Sequence, residues 1–193
     1  MKNFLIMLFS VCCFLHTHAQ EVVLQSSNNS SRLYIEHLDC INNHSLYVYG
    51  ELSHSNEWCS YTQLFHEYKV LGKLFTHLEI RTMLYENSDV VNSYISGLSY
   101  SLLETNNAYI TASALYRYEQ QHLWQATAVY SVFHKAICFY GYCDVYGSNF
   151  VNVYSENKLK IYINKAFIGV NVEISRFDNE WDTTPYIMAG FKF

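Results

Sequence analysis

Apolar side chains occupy every second position over long stretches of this chain, with polar ones between them. In AYITASALYRYE (108–119), Ile110, Ala112, Ala114, Tyr116 and Tyr118 share one face. Tyr109, Thr111, Ser113, Arg117 and Glu119 share the other, with Leu115 the exception. FTHLEIRTMLYE (75–86) opposes Leu78, Ile80 and Leu84 to His77, Glu79 and Arg81. HSLYVYGELS (44–53) sets Leu46, Val48 and Leu52 against Ser45, Tyr47, Tyr49, Glu51 and Ser53, and KLKIYIN (158–164) sets Leu159, Ile161 and Ile163 against Lys158, Lys160, Tyr162 and Asn164. A period of two repeated this often predicts strands, and no stretch offers a comparable helical period.

The pattern predicts twelve strands, near 21–27, 31–40, 44–55, 59–70, 74–86, 91–103, 108–119, 122–135, 136–147, 151–164, 166–177 and 184–193. Asn42-Asn43, Glu86-Asn87-Ser88-Asp89, Thr105-Asn106-Asn107 and the SSNNSS stretch at 26–31 supply the turns between them. Such strands exceed the length of about 5–6 residues usual in soluble sheets. They match the roughly 9–11 residues with which a tilted strand crosses a bilayer. The expected fold is therefore all-β: a single antiparallel transmembrane β-barrel of about twelve strands with short connections.

A soluble sandwich or lipocalin-like barrel would alternate too, with its apolar face inward. A membrane barrel turns that face to lipid and keeps the polar one for its lumen. Three features favour the membrane barrel. The apolar faces are small in mid-strand (Ala112, Ala114, Ala126, Ala128) and aromatic towards strand ends (Tyr116, Tyr118, Trp124, Tyr130). Few charges interrupt them. The chain also carries the marks of export.

Those marks lie at the amino end, MKNFLIMLFSVCCFLHTHAQ. Lys2 precedes an apolar run from Phe4 to Leu15, followed by Thr17-His18-Ala19. This is the layout of a signal peptide cleaved after Ala19, and the run is too short for a spanning helix. Residues 1–19 are expected to be the signal and 20–193 an outer-membrane barrel. Lipid attachment at Cys12 or Cys13 would follow Val11 or Cys12, both poor residues before such a site. At the other end, PYIMAGFKF closes on apolar alternation through Ile187, Ala189, Phe191 and Phe193. Phe191 and Phe193 are the expected signal to the barrel assembly machinery.

Composition narrows the partners. Charged residues make up only 15% of the chain, while 18 Tyr and 12 Phe accompany one Pro and seven Gly. A net charge of −5 argues against nucleic acid as a partner. Outer-membrane lipid is the expected surrounding. Cys40, Cys59, Cys138 and Cys143 form no CxxC pair; they read as buried or lipid-facing thiols or as disulfides with three connectivities.

SYISGLSYSLL, ITASALYRYEQ, WQATAVYSVFHKAICFYGYCDVYG and FIGVNVEISRF, followed by TPYIMAGFKF, resemble the DUF5020-type outer-membrane proteins of Bacteroidetes, which are related to the Tsx-type nucleoside-specific channels. The family pattern is a Gly-x-Glu strand, an Asn-Pro-Thr turn and a final strand ending Lys-x-x-Phe. This chain departs from it, with Gly169 and Glu173 in a looser form, Thr184-Pro185-Tyr186 at the turn, and Lys192-Phe193 with the spacing shortened. The resemblance implies a twelve-stranded barrel and suggests small polar solutes such as nucleosides.

On the alternation, the lumen-facing candidates for a solute pathway are Tyr47, Tyr49, Glu51, Glu79, Arg81, Arg117, Glu119, Tyr140, Tyr142, Asp144, Lys160, Tyr162 and Glu173, with Gln125, Asn171 and Lys192 on the same parity. Tyrosines stack on flat rings and charged groups bond sugar hydroxyls. The same residues equally suit interior acid–base pairs, such as Glu79 with Arg81 or Arg117, that satisfy one another and plug the barrel. HEYKV (66–70) lacks the second His of a zinc-protease helix, and His77, His122 and His134 have no ligand spacing. No nucleophile motif marks a hydrolase. The expectation is a non-enzymatic channel without cofactor or metal, the alternative being a closed structural or surface-interaction barrel without flux.

Overall fold

The computed structural model describes residues 21–55, 57–86, 90–148 and 150–193. The expected signal peptide, residues 1–19, lies outside them. Twelve strands follow in order: β1 (Glu21–Ser26), β2 (Ser31–Ile41), β3 (His44–His54), β4 (Trp58–Leu71), β5 (Leu74–Tyr85), β6 (Val91–Glu104), β7 (Ala108–Glu119), β8 (Gln121–His134), β9 (Ile137–Gly147), β10 (Val151–Ile163), β11 (Ala166–Phe177) and β12 (Glu180–Lys192). Each pairs antiparallel with its neighbours in sequence, and β1 also pairs with β12, so the sheet closes on itself. Closure leaves no unpaired edge, which lipid would not tolerate. Among the described residues no helix is long and apolar enough to cross a membrane.

The strands agree with the alternation to within a few residues except at the last one. β12 begins at Glu180 rather than near 184, because Trp181, Asp182 and Thr183 continue the ladder against Arg176, Ser175 and Ile174. Asp178 and Asn179 both take positive φ, 51° and 68°, which makes the β11–β12 connection a two-residue hairpin. Its polar residues read in sequence as a longer loop.

Side-chain exposure decides which face is which. On β5, Leu78 is 58% exposed and its neighbour Glu79 only 5%. The same holds on β7, where Tyr116 and Tyr118 are exposed, whereas Thr111, Arg117 and the exceptional Leu115 are buried. The apolar faces thus form a continuous outer belt around the wall. A water-soluble protein rarely exposes so large an apolar surface; lipid requires it. The four mid-strand alanines pair across two strands, Ala112 with Ala128 and Ala114 with Ala126. Trp58, Trp124 and Trp181 stand near the outer rim away from the termini, and Phe139 and Phe191 near the rim that holds them. Two aromatic girdles result. Tyr130 joins neither, since it lies over Gly141 and donates its hydroxyl to Asn157 Oδ1.

Inside, Val23, Tyr34, Tyr49, Phe167 and Met188 form an apolar cluster against the β11–β12–β1–β2–β3 wall. Phe167 faces Gly190 across the β11–β12 ladder. A Cβ at Gly190 would come within 2.4 Å of the Val22 carbonyl oxygen and 2.5 Å of Phe167 Cζ. Gly190→Val is therefore expected to cost about 1–3 kcal/mol through overpacking. The urea midpoint of the barrel refolded in vesicles measures this. Trimming Phe167 to Ala beside it should restore only part of the loss, because the second clash is with backbone.

All four cysteines of the described residues are free. Cys138 is buried inside and Cys143 sits on the outer face, while Cys40 and Cys59 lie near strand ends.

Candidate functional site: the barrel lumen

Register carries inward parity around the barrel, since directly paired residues share a face. Starting from buried Glu21, the ladder passes to Glu36, Tyr49, Gln63, Arg81 and Ser93 in successive strands or at even steps along them. With side chains exposed at the rims left out, the interior wall of the described residues carries nine carboxylates: Glu21, Glu36, Glu51, Glu67, Glu79, Glu119, Asp144, Glu156 and Glu173. It carries five Lys or Arg side chains: Arg32, Arg81, Arg117, Lys158 and Lys160. The lumen is polar and acid-rich.

Three of those cations reach across the barrel, and each meets two carboxylates. Lys160 on β10 bonds Glu21 on β1 and lies 3.5 Å from Glu36 on β2. Tyr162 donates to Glu21 at 2.6 Å and Tyr47 to Glu36 at 3.4 Å. Arg32 on β2 forms a two-pronged pair with Glu173 on β11, lies 3.7 Å from Glu51 on β3, and donates to Tyr186 Oη at 2.5 Å. Glu51 accepts a further bond from Tyr49 at 2.6 Å and Glu173 one from Asn171 at 3.3 Å. Arg81 on β5 pairs with Glu79 on its own strand and spans the lumen to Asp144 on β9, both guanidinium nitrogens 3.2 Å from Oδ2. Glu79 also bonds His77 at 2.9 Å and Gln63 at 2.6 Å, and Asp144 accepts from Thr127 at 2.7 Å. Lys160–Glu21 and Arg32–Glu173 each span three steps of the strand order and Lys160–Glu36 and Arg81–Asp144 four, whereas Arg32–Glu51 joins neighbouring strands and Arg81–Glu79 lies within one.

The other two cations pair with carboxylates of their own strands. Lys158 pairs with Glu156 at 2.7 Å, and Arg117 with Glu119 at 3.0 Å while stacking on Tyr146 at 4.6 Å. An aromatic column runs beside the lysines. The Lys160 ammonium sits 4.6 Å from the Tyr140 ring and 4.5 Å from Phe167, and Lys158 sits 4.8 Å from Tyr34. Tyr34 packs on Tyr49 at 5.3 Å, and Tyr142 on Tyr154 at 5.9 Å. The far wall, β6–β8, is lined by small hydroxyl side chains. There Ser101 Oγ, Thr111 Oγ1 and Gln125 Oε1 are buried with no hydrogen-bond partner in the chain.

Every sequence-derived lumen candidate faces inward: Tyr47, Tyr49, Glu51, Glu79, Arg81, Arg117, Glu119, Tyr140, Tyr142, Asp144, Lys160, Tyr162 and Glu173. Gln125 and Asn171 join them, and Lys192 keeps the parity but is exposed at the rim. Glu79 pairs with Arg81 and not with Arg117. Sequence reasoning left out Glu21, Arg32 and Glu36, which complete the cross-lumen pairs, and Tyr34, Glu156 and Lys158 beside them. The signal was present in SRLYIEHL, where Leu33 and Ile35 alternate with Arg32, Tyr34 and Glu36. Among the described residues no cluster of His, Cys, Asp and Glu is arranged to hold a metal ion.

No protein-family model matches the chain, and no curated protein matches it by sequence. Its shape does find solved relatives. The KdgM porin superposes with a TM-score of 0.61 at 12% identity, covering 91% of this chain and 99% of that one. The NanC porin gives 0.62 at 9% identity, covering 92% and 100%. LpxR from Salmonella typhimurium gives 0.55 at 5% identity, covering 90% and 99%. What they share with this chain is the fold, a closed antiparallel β-barrel. At such identities the likeness concerns the path of the chain and carries no side chain of any site across.

Proposed function

We propose that this protein is an outer-membrane channel through which small hydrophilic solutes, nucleosides among them, pass by facilitated diffusion. The observation that carries the reading is a lumen lined with charge, hydroxyl and tyrosine inside a barrel whose outer belt is apolar. A barrel needed only as a membrane anchor could fill its interior with apolar side chains. The fold shared with the KdgM and NanC porins supports the same reading. The resemblance of the sequence to DUF5020-type proteins adds the nucleosides: Tyr47, Tyr49, Tyr140 and Tyr142 offer faces for a base, and Ser101, Thr111 and Gln125 offer unpaired groups for sugar hydroxyls. One KdgM structure is a complex with oligogalacturonate, a polyacid. An acid-rich lumen does not suit such a ligand. Outward Phe191 and Phe193 fit recognition by the barrel assembly machinery, and the apolar belt fits outer-membrane lipid.

One observation favours the second reading, a closed structural barrel. The chords from Lys160, Arg32 and Arg81 cross the lumen and must swing aside for a solute to pass. Liposome swelling with purified, heat-modifiable protein separates the two. Swelling in iso-osmotic nucleoside or in a sugar of similar size is expected. If folded protein supports neither swelling nor ion current, the structural barrel stands instead.

A further inference from the structure

The three cross-lumen clamps share one stoichiometry: a single cation held between two carboxylates. Arg32 lies between Glu51 and Glu173, Lys160 between Glu21 and Glu36, and Arg81 between Glu79 and Asp144. From this we infer that the lumen selects small organic cations, solutes carrying an ammonium or guanidinium group, over anions. The inference rests on the channel reading and deepens it by naming the solute class.

The argument is one of exchange. An incoming ammonium can take one carboxylate of a clamp while the resident Lys or Arg keeps the other, so no buried charge is left alone at any step. An incoming anion that pairs with the resident cation would have to displace one of its carboxylates, leaving that carboxylate without a counter-charge in a narrow interior. Each exchange also swings the resident side chain off its chord, which opens the lumen as the solute advances. The aromatic column already shows how cations rest here, with the Lys160 ammonium against Tyr140 and Phe167. A second cation entering the same stretch meets ring faces of the same kind. Excess carboxylate between low-dielectric walls raises the local cation concentration further.

The test uses the full-length protein in planar bilayers and liposomes. In a KCl gradient the wild-type reversal potential is expected to report cation selectivity. Reversal potentials of KCl against putrescine hydrochloride and against potassium gluconate are expected to give putrescine a permeability about tenfold that of gluconate, while ribose swells liposomes. Glu36→Gln, Glu51→Gln and Asp144→Asn together remove one carboxylate from each clamp and leave each cation one partner. That triple variant should lose most of the preference. If it fails to refold, the single variants should each shift the reversal potential part of the way towards that of an unselective pore. Equal passage of putrescine and gluconate through wild type, or unchanged selectivity in every carboxylate variant that folds, overturns the inference while sparing the channel. Absence of all passage, ribose and potassium included, removes the channel and the inference with it.

Discussion

Ala112→Arg is expected to remove most of the folded barrel. Ala112 faces outward in the middle of β7, between Tyr100 on β6 and Ala128 on β8. An arginine near the bilayer midplane of a barrel costs about 2–4 kcal/mol. Set against a total stability on the order of 5–15 kcal/mol, that is enough to lower the yield during insertion. The inward neighbour behaves differently. Arg117→Ala removes a side chain bonded to Glu119 at 3.0 Å and stacked on Tyr146, but Glu119 keeps a 2.7 Å bond from Ser93 Oγ near the rim. Its loss should leave folding nearly intact. The fraction of protein that migrates as the compact, unheated form after refolding into vesicles measures both. Normal yield for Ala112→Arg would mean that the outward face is not in lipid and that the barrel is a soluble one.

The strands were legible because a wall two-sided in polarity must alternate. Lipid and lumen impose opposite demands on successive residues, and Leu78-Glu79-Ile80-Arg81 shows both within four positions. Which side was lumen was legible only indirectly, through mid-strand alanines and terminal aromatics, since periodicity is blind to inversion. The site was half legible. Parity placed Tyr47, Glu79, Arg81, Asp144 and Lys160 on the inner wall, but no local signal could say that Arg81 on β5 meets Asp144 on β9 or that Arg32 meets Glu173. Those pairings follow from the closed order of strands and from how far an extended side chain reaches across the lumen. Glu21 escaped notice because β1 is the shortest strand and offers little alternation. Asp178-Asn179 misled for the opposite reason: residues that favour a loop also favour the positive φ of a tight hairpin.

Removing the Arg81 chord should have the other large effect, and it should act on stability and on conductance in different ways. Arg81→Ala leaves Asp144 with no cation, although it keeps the Thr127 hydroxyl at 2.7 Å. Glu79 keeps His77 and Gln63. Breaking one partner out of a buried pair costs about 3–5 kcal/mol, and most of that cost belongs to the stranded charge. Adding Asp144→Asn removes the stranded charge, so the double variant should regain most of the lost stability. The open area behaves otherwise, because both variants lack the side chain that spans the lumen. Single-channel conductance is therefore expected to rise in Arg81→Ala and to stay raised in Arg81→Ala/Asp144→Asn, while the urea midpoint falls in the first and recovers in the second. Recovery of both together would make the conductance change a symptom of loosened packing. Conductance at the wild-type level in both variants would place the closure elsewhere, at the Lys160 or Arg32 clamp, where the same pair of measurements applies with Glu21→Gln or Glu173→Gln as the compensating change.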